Sequence, residues 1–116
     1  MVTYAEVRDW VLALPGGQEV MVEEWGHPTL RVNDKVLAIG GPDSPRLSVK
    51  ASKEEQAELL KTAPETYAFA AYTGRFGWVD VDLSTVDPDE LHELIVEAWR
   101  RTAPRRLVKE YDDGMS

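Results

Sequence analysis

Trp25-Gly26-His27-Pro28-Thr29-Leu30-Arg31-Val32-Asn33-Asp34-Lys35-Val36-Leu37-Ala38-Ile39 is the stretch that decides the fold. Two apolar-rich runs, residues 29–32 and 35–39, flank Asn33-Asp34, and both of those residue types tolerate the positive φ of a two-residue hairpin turn. The runs are therefore antiparallel neighbours. Gly26-His27-Pro28 closes an earlier strand, residues 18–25, in which Val20 and Val22 alternate with Met21 and Glu23 at the two-residue strand period. Beyond the hairpin, Gly40-Gly41-Pro42-Asp43-Ser44-Pro45 has loop composition. Residues 46–51 then set Leu47 and Val49 against Arg46, Ser48 and Lys50, giving a fourth strand.

Helices frame these strands. Thr3 with Glu6, and Ser52 with Glu55, have the spacing of capping boxes. The first opens a helix carrying Tyr4, Val7, Val11 and Leu14 to a stop at Pro15-Gly16-Gly17. The second carries Ala57, Leu59 and Leu60 and ends before Pro64. Residues 67–72 fit a short helix or an extended segment equally well. Val79, Val81 and Leu83, alternating with Asp80 and Asp82, read as a fifth strand, and Asp87-Pro88-Asp89-Glu90 starts a helix with Leu91, Leu94, Ile95, Ala98 and Trp99 on its buried stripe. Pro104 interrupts that helix, a short helical segment resumes over residues 105–111, and residues 112–116 are expected to fray. The expected fold is α+β and two-layered: an antiparallel sheet of about five strands with helices on one side, in the order α-β-β-β-β-α-β-α. Residues 1–111 are expected to form a single domain.

Composition excludes several classes of function. The chain has no cysteine, which removes disulfides, thiolate metal sites and cysteine nucleophiles. Two histidines without metal-ligand spacing give poor support for a zinc or iron site, and no serine elbow, phosphate loop or dinucleotide fingerprint occurs. We expect no catalytic residues, metal or cofactor. Residues 1–6 lack the basic and apolar stretches of a secretion signal, and no run approaches the ~18 apolar residues of a membrane span, so a cytoplasmic protein is expected. The net charge of −8 repels phosphate polymers at long range, so any nucleic-acid contact has to be local.

Binding candidates lie in two places. His27 sits in a turn beside Trp25, where an imidazole and an indole can line a pocket or simply be solvated. In Thr73-Gly74-Arg75-Phe76-Gly77-Trp78, Arg75 sits among Tyr72, Phe76 and Trp78. Such a loop can stack a planar ligand or hold an anion, or it can plug the core with its rings. Asp80 with Asp82 reads as a solvated sheet face, His92 as a surface residue, and the basic run Arg100, Arg101, Arg105, Arg106 and Lys109 as a complement to the helix dipole and upstream acids.

Taken together, Leu14-Pro15-Gly16, the stretch from Trp25 to Val32, Lys35-Val36-Leu37-Ala38, Leu47-Ser48-Val49-Lys50, Gly77-Trp78-Val79-Asp80-Val81 and Asp87-Pro88-Asp89-Glu90-Leu91 resemble the MmcQ/YjbR family of small bacterial proteins. The resemblance implies a two-layer fold with an antiparallel sheet like that of secretion chaperones and frataxin-type domains. It also implies DNA binding through a double-wing arrangement, with some members in antibiotic biosynthesis or resistance clusters. Arg31, Lys35 and Lys50 fall at motif positions. The leading expectation is a non-enzymatic domain that contacts DNA through these cations and the loop containing Tyr72, Arg75, Phe76 and Trp78. The alternative is a module for a small planar or anionic ligand, or for a protein partner, seated between Trp25, His27 and the same loop, with neither nucleic acid nor membrane involved.

Overall fold

In the computed structural model, which describes residues 1–114, the Thr3 hydroxyl accepts from the Glu6 amide at 3.2 Å and starts α1, Tyr4–Ala13. Glu6 returns its carboxylate to the Thr3 hydroxyl rather than to the Thr3 amide, so only half of the capping box forms. Gly17–Val22 (β1), His27–Val32 (β2), Lys35–Ile39 (β3) and Arg46–Val49 (β4) follow, each antiparallel to the next. Asn33 and Asp34 take φ of 50° and 64°, the left-handed pair that a two-residue hairpin turn requires. β1 stops at Val22, short of the expected Trp25, because the amides of Trp25 and Gly26 turn back to the Val22 carbonyl.

Ser52 and Glu55 complete a reciprocal capping box at the start of α2, Lys53–Thr62. Tyr67–Phe69 (β5) and Val79–Asp82 (β6) are antiparallel, and Pro88–Thr102 forms α3 with Asp87 as its cap. The sheet has six strands in the order β1-β2-β3-β4-β6-β5, not about five. The added strand is β5, whose three residues are too few to display a strand period. It is recognisable only from its pairing: Tyr67 opposes Val81, sends its ring into the core and donates from its hydroxyl to Glu90 Oε1 at 2.6 Å. The helix after Pro104, α4 (Arg105–Gly114), also runs past the expected end near Tyr111. Arg100 explains the extension, since its guanidinium donates to both carboxylate oxygens of Asp112 at 3.2 and 2.8 Å. Met115 and Ser116, the end of the tail expected to fray, lie outside the described residues.

The helices cover one face of the sheet. Leu30, Val32, Leu47, Val49, Val79 and Val81 point into a core with Val7 and Val11 of α1 and Leu91, Ile95 and Trp99 of α3. The opposite face is open, and pairing aligns Val20, Thr29, Ile39, Ser48, Asp80 and Ala68 in one row across all six strands. Thr29 in that row is fully covered and donates to the Val20 carbonyl at 2.9 Å. No helix among the described residues is long and apolar enough to cross a membrane.

A polar clasp ties α1 to the sheet. Glu19 of β1 accepts from Tyr4 Oη at 2.7 Å and from Arg8 Nε at 2.9 Å. The hydrogen bond from Arg8 is the largest influence on the Glu19 carboxyl and, with that from Tyr4, holds its pKa below the usual value against desolvation. A carboxylate with a depressed folded pKa contributes stability that is present above its unfolded pKa, near ~4.3, and disappears as pH falls through the folded value. Glu19→Gln is therefore expected to lower the melting temperature at pH 7, and the loss is expected to shrink as pH falls through the depressed folded pKa of Glu19. An equal loss at pH 7 and below that pKa in thermal melts contradicts the assignment.

Candidate functional site

The strands run between two ends of the sheet, and strand direction decides which loops meet. At one end lie the β2–β3 turn, the residues after β4 and the β5–β6 connection. Lys50 and Trp78 are the residues just beyond the Val49–Val79 pair at this end. The Lys50 amide donates to the Leu37 carbonyl at 2.9 Å, and its ammonium reaches the helix layer to donate to Thr102 Oγ1 at 3.0 Å. Burial lowers the pKa of Lys50 first, and the neighbouring charges of Lys35 and Arg101 lower it further. Lys35 is exposed and makes no ion pair among the described residues. Arg101 is paired with Glu55. Arg31 lies along the open face, donating from Nε to Thr29 Oγ1 at 2.8 Å and from Nη1 to the Asp34 carbonyl at 3.4 Å. Lys35 and Lys50 are thus electrostatic neighbours, while Arg31 occupies the adjoining open face.

The loop between β5 and β6 is clamped from beneath. Gln56 of α2, buried in a helix where sequence placed Ala57 on the apolar stripe, donates from Nε2 to the carbonyls of Gly74 at 2.7 Å and Trp78 at 2.8 Å. Gly77 has φ of 105° and lies so close to the start of α2 that an added Cβ would sit 2.5 Å from the Ala51 carbonyl oxygen. Phe69 packs over Gly74, where an added Cβ would meet its ring at 2.3 Å. With its backbone fixed, the loop turns Tyr72 and Phe76 outward at 94% and 61% exposure, and the Arg75 guanidinium lies 4.8 Å from the Phe76 ring centre. Trp78 is half-buried. The loop thus turns Tyr72, Arg75 and Phe76 to solvent, while Trp78 stays partly covered just before the start of β6.

Trp25 and His27 lie at the other end of the strands, their rings 5.9 Å apart and tilted by 39°. They do not meet the aromatic loop, because that loop connects the far ends of β5 and β6. His27 instead lines a cleft of about 520 Å³ on the open face, together with residues 40–44. Arg46, Ser48 and Asp80 line the same cleft. Asp80 accepts from Ser48, whereas Asp82 accepts from the hydroxyl and amide of Ser84 at 2.6 and 2.9 Å, so the two aspartates serve separate partners. His92 packs edge-on against Trp10 at 5.1 Å.

Sequence reading did not find Gln56, Phe69, Arg46 or Ser48. Gln56 looks like any polar helix residue, and its partners are carbonyls, which side-chain identities do not report. Arg46 and Ser48 acquire a setting only when β4 pairs with β6, across a separation of more than thirty residues.

A family model described as YjbR matches residues 12–101, from the end of α1 to within one residue of the end of α3. Among solved structures, the crystal structure of Deinococcus radiodurans protein DR2400, described with the family-model domain DUF419, superposes with a TM-score of 0.77. The superposition covers 95% of this chain and 88% of that one at 24% identity, a likeness of fold. No curated protein matches the sequence.

Proposed function

The chain belongs to the YjbR family, and on that premise we propose that it is a binding domain that contacts DNA through the end of the sheet formed by the β2–β3 turn, Lys50 and the β5–β6 loop. The observation that carries this reading is geometric: Lys50, a charge neighbour of Lys35, lies just beyond the Val49–Val79 pair at the same end of the sheet as the loop that turns Arg75, Tyr72 and Phe76 to solvent. Like charges held together, one of them partly desolvated, gain most when an anion arrives between them. Exposed rings next to cations suit a polymer of phosphates and bases, since phosphates meet the cations while unpaired bases stack on the rings.

With a net charge of −8, any phosphate contact has to be local, and part of the acidic charge lies elsewhere on the fold. Glu55, Glu58, Glu90, Glu93 and Glu97 line a groove between α2 and α3 on the helix side. That groove repels phosphate, and its Glu55 also pairs with Arg101, leaving Lys35, Lys50 and Arg75, which make no ion pair among the described residues, as the cations offered to a nucleic acid.

Anisotropy of labelled DNA, both duplex and single-stranded, titrated with the protein at low and physiological salt tests the reading. Binding to at least one form is expected to weaken with salt, with a logarithmic slope of about −2 to −4 for three or four phosphate contacts. The triple variant Lys35→Ala, Lys50→Ala, Arg75→Ala is expected to reduce that slope by about 2 to 3. Absence of binding to either form at low salt, or binding that the triple variant retains, overturns the proposal.

A further inference from the structure

The cleft at the opposite end of the sheet belongs to no part of the DNA reading. Its volume, about 520 Å³, lies within the roughly 300–1,000 Å³ range of small-molecule sites. Pro28, Ile39 and Pro42 give it apolar walls; Arg46, Ser48 and Asp80 line its strand side, and His27, Asp43 and Ser44 its rim.

The polar groups on the strands are neighbours. Arg46 and Ser48 are two residues apart on β4 and share the open face, and Ser48 is paired in register with Asp80. Asp80 lies on the neighbouring strand, so Arg46 and Asp80 are diagonal neighbours whose backbones stand about 8 Å apart across the cleft floor. The Arg46 guanidinium makes no hydrogen bond or close ion pair among the described residues. Asp82, its neighbour across the register, takes its hydrogen bonds from Ser84, which hold that carboxyl's pKa down, and Arg46 lies near enough to lower it further. Asp80 receives one hydrogen bond, from Ser48 to Oδ1, which fixes the carboxylate and leaves Oδ2 to accept from something else. Gly41 borders the cleft, where a Cβ would make ordinary contact with Pro28 at 3.6 Å and His27 at 3.7 Å, so a long side chain there would extend over the cleft.

We propose that this cleft is a binding site for a small planar zwitterion, its anionic end on Arg46, its cationic or hydrogen-bond-donating end on Asp80, and its flat body between Ile39 and the proline walls. Both charges are needed together. An anion alone leaves Asp80 unmatched under the ligand, and a cation alone meets Arg46.

The probe is 4-(aminomethyl)benzoate, whose charges are spaced to reach both groups, with benzoate and benzylamine as its two halves. In amide ¹H–¹⁵N spectra of the whole chain, the zwitterion is expected to give saturable shifts at His27 and residues 39–48 at roughly millimolar concentration. It should bind about tenfold more tightly than either half. Arg46→Gln should abolish its advantage over benzylamine, and Asp80→Asn, which keeps an acceptor for Ser48, its advantage over benzoate. Gly41→Leu narrows the cleft without touching a charge and should weaken binding of the zwitterion. Absence of saturable shifts from all three probes, or shifts that none of the variants alters, overturns the proposal. Because the DNA surface lies at the other end of the strands, failure here and failure there are separate results.

Discussion

Replacing Trp99 by alanine is expected to lower the free energy of unfolding by about 3–5 kcal/mol, a large part of the ~5–15 kcal/mol that stabilises a chain of this kind. Trp99 is the largest fully buried side chain and lies on the face of α3 that meets the sheet. Its indole N–H donates to the Pro15 carbonyl at 2.9 Å, tying α3 to the turn between α1 and β1. Its ring also meets Tyr111 of α4 edge-on at 5.2 Å. Truncation therefore opens a cavity where three segments converge and leaves a carbonyl without its donor. Trp99→Phe refills much of the volume but not the hydrogen bond, and is expected to cost less than half as much. Urea unfolding checks both: the midpoint should fall in that order with the slope unchanged. Equal losses for the two variants contradict the packing account.

Gly77→Ala is the second large effect. A left-handed φ alone costs a side-chain-bearing residue about 1–3 kcal/mol. Here the Cβ would also press on the Ala51 carbonyl oxygen at 2.5 Å and on Ser52 and Lys53 backbone atoms at 2.9 and 3.0 Å, none of which can rotate away. The expected loss exceeds that of Gly26→Ala, where φ is 73° but the Cβ meets open space. The consequence also reaches function, since the strain falls on the loop that presents Arg75 and Phe76. Unfolding curves and DNA titrations of the two alanine variants check this. Gly77→Ala should lose stability and affinity together, Gly26→Ala little of either, and equal stability losses would contradict the steric argument.

Elements with local signatures were legible in the sequence. Asn33-Asp34 forms the turn its residue types allow, Ser52 and Asp87 cap the helices they were expected to open, and alternation on β4 and β6 assigns their faces correctly. Elements defined by a partner were not. Tyr67–Phe69 is a strand because β6 lies beside it, and Asp112 is helical in the company of Arg100. The candidate site divides in the same way. The composition of the 73–78 loop fitted an open or a packed arrangement equally, and only the folded chain shows Tyr72, Arg75 and Phe76 turned outward; Lys35 and Lys50 neighbour each other at the same end of the sheet. The distance of Trp25 and His27 from that group follows from the strand order, which no local pattern encodes.

The family likeness read from the sequence and the family model agree, and neither says where a ligand sits. The charge distribution supplies the location we propose. Five glutamates line the groove between α2 and α3, while Lys35, Lys50, Arg75 and the exposed rings of Tyr72 and Phe76 lie at the end of the sheet.

The measurement that tests this most directly is an amide ¹H–¹⁵N titration of the whole chain with a short DNA at low salt. The account predicts perturbations concentrated in residues 33–35, 50–53 and 70–78 that fade as salt is added. Perturbations centred on α2 and α3, or none at all in those three segments, would contradict it.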